Sequence, residues 1–283
     1  MSLAVFLVLI FAAALHAGWN AAVKKVDDRE AAAIAVAAGG GVLAAAALPL
    51  LPPMAPGAFT YVIATSLIHI LYFALLARAY RGADLSVAYP LMRGLAPILV
   101  TAFGAVVMSE YTGLAGSLGI LLVSLGVIGL GYEGLRAGRA GRPAVGAAFL
   151  NAGIIAGYTV VDGVGVRLSG TAATYAAWVM LASGVTNAVW ILLRQGRPMA
   201  VRLLRHAAVG LVGGGMSGIS YGLALWAMTL APVAFVSAVR ETSVLFAAAI
   251  GATMLHERFG LLRWGAAAVV VAGLVAVKVG GPA

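Results

Sequence analysis

The sequence predicts an all-α membrane protein of ten transmembrane helices, arranged as two inverted five-helix repeats. Three observations predict it. Ten apolar runs of about twenty residues follow one another, the length that crosses a bilayer; Lys and Arg are distributed one-sidedly among the loops; and a pair of charges recurs at one fixed offset in the two halves. Composition agrees: of 283 residues 63% are apolar and 10% charged, where a soluble domain carries about a quarter charged, and mean hydropathy is +1.05. An ordinary soluble enzyme is excluded. The formal charge of +9 sits mostly in short loops, which points to membrane orientation and not to nucleic acid. With no cysteine and four scattered histidines, disulfide scaffolds, thiol nucleophiles and metal sites are not expected, and nothing calls for a cofactor.

The runs are Ser2 to Val23, Ala31 to Leu51, Phe59 to Ala79, Leu85 to Met108, Leu114 to Gly131, Ala144 to Val166, Thr171 to Leu193, Ala207 to Leu230, Val233 to Leu255 and Leu261 to Val279. The first lacks a basic leader and a cleavage site before His16 and Asn20, so it reads as a retained span. Fourteen basic residues share one side of the membrane: Lys24, Lys25, Arg29, Arg78, Arg81, Arg136, Arg139, Arg142, Arg194, Arg197, Arg202, Arg205, Arg258 and Arg263. Only Arg167 and Lys278 fall on the other, so the odd-numbered loops are expected in the cytoplasm and both termini outside.

A shift of 147 residues sets Arg93 on Arg240, Glu110 on Glu257 and Gly126 on Gly273. A shift of 139 sets Ala17-Gly18-Trp19-Asn20 on Ala156-Gly157-Tyr158-Thr159. The expected units are residues 1–137 and 138–283, each with five spans. An odd number of spans per copy inserts the second copy upside down, the symmetry on which alternating-access carriers are built.

The first-span pattern HAGWNAAVK, the loop glutamate with its glycines in SEYTGLAGSLGILLVSLGVIGL, and the counterpart HERFGLLRWGAAAVVVAGLVAV resemble the EamA family of the drug/metabolite transporter superfamily. The resemblance covers essentially the whole chain. It implies a ten-span metabolite exporter of the bacterial inner membrane, with amino acids a prominent substrate class and the YddG-type aromatic amino acid exporters the nearest candidates. The superfamily includes both orientations.

A charge in the bilayer costs about 2.5 to 3.5 kcal/mol on insertion scales, so Arg93, Asp162, Arg240 and Glu241 are expected to face partners or a water-filled cavity. Their formal charges cancel; structural salt bridges and contact with a substrate or proton are both open. Polar and aromatic residues recur at helical spacing: His16, Trp19 and Asn20; His69, Tyr72 and Tyr80; Tyr89 and Arg93; Asn151, Tyr158 and Asp162; Thr174 and Trp178; Ser217, Ser220 and Tyr221. The expected substrate site is a central cavity lined by His16, Trp19, Asn20, His69, Tyr72, Tyr89, Arg93, Tyr158, Asp162, Trp178, Ser217, Tyr221, Arg240 and Glu241. Tyr61, Tyr111, Tyr132 and Trp264 read instead as a headgroup belt. Pro90, Gly94 and Pro97 mark span four as a hinge. Glu110 and Glu257 precede new helices and are expected to cap them. Gly116, Gly119 and Gly126 make span five, with span ten, a packing or dimer face, so a homodimer is an expected partner.

These features favour a secondary transporter exporting a small amphipathic metabolite, most plausibly an amino acid, with lipid and substrate as its partners. No phosphate-binding loop occurs, so ATP is not the direct energy source; proton coupling and facilitated diffusion both stay open. An integral membrane enzyme acting on lipid would need an HExxH, a Ser–His or Ser–Lys pair or paired aspartates, none of which stands out. A structural or assembly subunit would leave the polar stripes without a purpose.

Overall fold

The computed structural model describes residues 1–254 and 260–280. The chain is helical, with no strand among the described residues beyond an isolated bridge between Ala83 and Ala140. The helices are α1 (Leu3–Lys24), α2 (Arg29–Ala47), α3 (Phe59–Arg81), α4 (Leu85–Met108), α5 (Gly113–Leu130), the short α6 (Tyr132–Arg136), α7 (Arg142–Leu168), α8 (Ala172–Arg205), α9 (Ala207–Met228), α10 (Val233–Arg240), α11 (Thr242–Met254) and α12 (Leu261–Gly280). Among the described residues nine helical stretches are long and apolar enough to cross a membrane, with α10 and α11 forming one of them. The protein is therefore a multi-pass membrane protein. The helix α8 is a further long element.

Loop contacts sort the connections into two ends. At one end Arg202 holds Asp28 and Glu30, Arg263 faces Glu133, and Gly141 N donates to the Gly82 carbonyl. At the other end Arg167 pairs with Glu110, the Thr174 hydroxyl reaches the Pro52 carbonyl, and the Lys278 ammonium donates to the Met1 carbonyl at 2.8 Å. The start and the last helix thus meet at one end, opposite the basic loops.

Small residues set how closely the helices approach. α5 and α12 share the most extensive contact, with Gly119 against the Val277 backbone, Gly126 against Val270, and Gly273 against Val123. The glycine face of span five is therefore spent within the chain. Leu114, Leu118, Leu121 and Leu125 point out on the opposite side, as suits a lipid-facing surface. α2 and α9 touch backbone to backbone at Gly39 and Gly210 and at Gly40 and Gly214, where a methyl group would collide with main-chain atoms.

Two departures from the expected spans matter. The seventh run extends past Leu193 to Arg205, but Gly196 takes φ +60°, ψ −152°, a conformation open essentially to glycine, so the chain changes direction before Pro198. The ninth run breaks at Glu241: the ladder tightens to three-residue bonds, with Glu241 N donating to the Ala238 carbonyl and Val244 N to the Glu241 carbonyl. α4, despite Pro90 and Pro97, runs as one helix, and its Gly94 packs tightly on Ser124 and Ile128 of α5. Under the 147-residue shift Gly94 corresponds to Glu241. The interruption lies in the copy without prolines.

Candidate functional site

The two charges that recur in the sequence lie at comparable depths from opposite ends. Arg93 is eight residues into α4 and Arg240 closes the eight-residue α10, which at about 1.5 Å per residue puts each roughly 12 Å from its helix start. That is near the middle of a hydrocarbon core of about 30 Å. Arg93 forks onto Glu241, Nε to Oε2 at 3.1 Å and Nη2 to Oε1 at 2.8 Å, with side-chain exposures of 13% and 2%. This bidentate pair joins the first half of the chain to the second at the break between α10 and α11. It neutralises two charges that hydrocarbon would not tolerate singly.

Arg240 is left over. It is half-buried, and among the described residues it makes no ion pair within 4 Å and no side-chain hydrogen bond. Its electrostatic neighbours are Arg93, Tyr158, Glu241 and Tyr221, with His16 close to both arginines. The expected cancellation of four intramembrane charges is thus realised only in the Arg93–Glu241 pair.

Aromatic rings wall this centre. His69 stacks on Tyr158 at 4.4 Å between centroids, and Tyr72 meets both edge-on at 6.0 Å. Tyr72, Tyr89 and Tyr158 all lie within electrostatic reach of Arg93. The His69 ring is held in place by Nδ1, which bonds the Thr65 carbonyl one turn earlier at 2.7 Å. His16 meets Trp19 edge-on at 5.3 Å, and the buried Trp19 indole N–H finds no acceptor.

Asp162 occupies a compartment of its own. It is 1% exposed, and its two oxygens accept from the Tyr175 hydroxyl at 3.1 Å and the Tyr221 hydroxyl at 2.7 Å, with Thr65 bordering it. α7, α8 and α9 are stitched together there, with His69 the basic group nearby and none in hydrogen-bond contact among the described residues. About three turns earlier on α7, Asn151 donates to the Met92 sulfur at 3.1 Å, and its buried Oδ1 has no donor among the described residues.

The sequence-predicted set therefore divides. His16, His69, Tyr72, Tyr89, Arg93, Tyr158, Arg240 and Glu241 converge, and Tyr221 bridges them to Asp162. Trp19 joins through His16. Asn20 is exposed and turns back onto the His16 carbonyl at 2.7 Å. Trp178 packs against Phe59 near the end that holds Thr174 and Pro52, away from the centre. Ser217 is half-buried with no hydrogen bond to the cluster among the described residues, while Ser220 ties α9 to α1 through the Ala12 carbonyl. Sequence reasoning missed Tyr175 and Thr65, both fully buried; Tyr175 lies three residues before Trp178, on a neighbouring face of the same helix.

Glu110 also differs from expectation. Rather than capping α5, which follows it, its Oε2 accepts the N–H of Val233 at the start of α10, and its Oε1 meets Arg167 at 2.5 Å. Glu257 lies outside the described residues, as do Leu255, His256 and Arg258. Two clefts open elsewhere: one of about 340 Å³ lined by Ile10, Thr242, Leu245 and Leu274, and one of about 450 Å³ beside Glu110 and Tyr111.

Residues 142–278 match the model of the EamA-like transporter family. A solved structure superposes with a TM-score of 0.72 over 97% of this chain and 98% of its own, at 20% sequence identity, a likeness of fold. No curated protein matches the sequence.

Proposed function

We propose that the chain is a secondary transporter that exports small amphipathic metabolites, aromatic or other neutral amino acids foremost, by alternating access of two inverted five-helix repeats. The observation that carries this reading is the Arg93–Glu241 pair, which couples the two halves at mid-depth inside a ring of aromatic side chains. Helix packing supports the repeat. α5 faces α12 and α2 faces α8, while α3 on α7 is matched by α9 on α1, and α4 on α7 by α10 and α11 on α1. Each of these contacts maps onto itself or onto its named counterpart when the halves are exchanged. The tie between Lys278 and Met1 supports an even number of crossings, and in this reading α8 is the tenth span. A helix interrupted at mid-depth is a common setting for a carrier's binding site, and the break at Glu241 fits.

In this reading the odd-numbered loops are cytoplasmic, the membrane is the bacterial inner membrane, and no cofactor takes part. The test is counterflow of a panel of labelled amino acids in proteoliposomes, with and without an imposed pH gradient. Saturable exchange that falls strongly in Trp19→Ala and Tyr72→Ala at equal reconstituted amounts is the expected result. Absence of exchange for the whole panel with the wild-type protein overturns the reading.

A further inference from the structure

The central cluster is unevenly supplied with donors and acceptors. Of its two carboxylates, Glu241 is occupied by the fork of Arg93, and Asp162 has each oxygen filled by a tyrosine hydroxyl. Both oxygens of each carboxylate are thus already engaged, and Asp162 and Glu241 are each only 1% exposed. On the donor side Arg240 makes no ion pair within 4 Å and no side-chain hydrogen bond among the described residues, and the buried Trp19 indole N–H, reached through His16, has no acceptor. The orphan acceptor Asn151 Oδ1 belongs to a neutral amide and offers no charge to a cation. Arg93 and Arg240 share Glu241 as their carboxylate neighbour, so the pair of arginines is one negative charge short, and a monoanion arriving from solution would supply it.

We propose that Arg240 binds the carboxylate, or an equivalent monoanionic group, of the transported molecule, and that the site holds no receptor for a cationic group. The inference rests on the transport reading and narrows it: the substrates are monoanions with an apolar or aromatic body, and an α-amino acid is admitted through its carboxylate alone. The body lies against Tyr72, Tyr158 and His69, whose rings already pack on one another at 4.4 to 6.0 Å. Arg240 is preferred over Arg93 as the anchor because the Nε–Nη2 edge of Arg93 is already committed to Glu241.

Three probes that differ in one group each test this: phenylalanine, 3-phenylpropionate without the amine, and phenethylamine without the carboxylate. Calorimetric binding to the purified protein is expected for the first two with affinities within about tenfold of each other, and not for phenethylamine; loss of a charge-assisted bond in Arg240→Gln should weaken both acids about tenfold or more. Arg240→Lys, which keeps the charge, should recover part of the affinity. Phenethylamine binding as tightly as the acids overturns the proposal, as does Arg240→Gln with unchanged affinity for 3-phenylpropionate, or no binding of either acid. If Arg240→Gln does not fold, the three-probe comparison on the wild-type protein decides. Binding of the acids without counterflow would instead remove the transport reading and leave the anion site standing.

Discussion

Glu110 closes the start of a helix that lies 123 residues further along the chain: its Oε2 accepts the Val233 N–H at 2.8 Å. The first turn of a helix exposes unpaired N–H groups and the positive end of the backbone dipole, and a carboxylate meets both needs. Arg167, itself bonded to the carbonyls of Met228 and Ala231, holds the same glutamate from the other side. Three connections at one end of the bundle are thereby locked by two side chains.

Glu110→Ala is expected to cost about 1–3 kcal/mol of stability, because the Val233 N–H loses its acceptor and Arg167 loses its counter-charge together. Arg167→Ala, with Arg167 about a third exposed, should cost less. Thermal unfolding of the detergent-solubilised single and double variants checks this: a double variant that costs less than the sum of the singles reports the coupling.

Arg93→Ala and Glu241→Ala should each destabilise severely, by roughly 3–5 kcal/mol, since either strands a buried charge. Replacing both at once with apolar residues of similar volume is expected to recover most of that loss in the melting temperature while abolishing exchange. A double variant no more stable than the singles would show that the pair does not act as a unit.

At the basic end, the Arg202 guanidinium bonds both oxygens of Asp28 at 2.7 Å and, with the Ala31 N–H, holds its carboxyl down at about 2 from an ordinary 3.8. The folded pKa is the lower one, so the contribution is complete above about pH 4 and is lost as the pH falls through about 2. The pair lies at the surface, with the Asp28 side chain 30% exposed, so the effect is modest. Comparing acid unfolding of wild type with Asp28→Asn should show a stability difference at pH 5 that vanishes near pH 2; a difference that persists there would assign the effect to helix capping alone.

Orientation is checked with single cysteines in a chain that has none. Gly57 has open space around it and Ala137 is exposed; Gly138, at φ +69°, would be strained by any side chain. A membrane-impermeant thiol reagent should label Gly57→Cys in intact cells and Ala137→Cys only after permeabilisation. The reverse pattern would put the basic loops outside.

The sequence made the helices legible because twenty apolar residues in a row admit one reading in lipid, and helical spacing put Tyr158 with Asp162 and His69 with Tyr72. Partners across helices were a different matter. Nothing local distinguishes Tyr175, which holds Asp162, from Trp178, which packs on Phe59; one turn of α8 separates them and the register between α7 and α8 decides. The same holds for Glu110, whose nearest helix in sequence is not the one it caps. Prolines marked α4 as the helix to bend, yet the break falls at Glu241, where the Arg93 ion pair and the Thr242 hydroxyl on the Val239 carbonyl rewrite the local bonding.

That break divides the span into two rods with different surroundings. Every residue of α10 from Val233 to Val239 is buried in protein, whereas α11 exposes Ala247 and Ala249 along its length. One rod therefore moves with the core and the other feels the acyl chains directly. A change in bilayer thickness is therefore expected to act on the outer rod first and to reach the ion pair through Glu241, which makes acyl-chain length a variable to test in reconstitution.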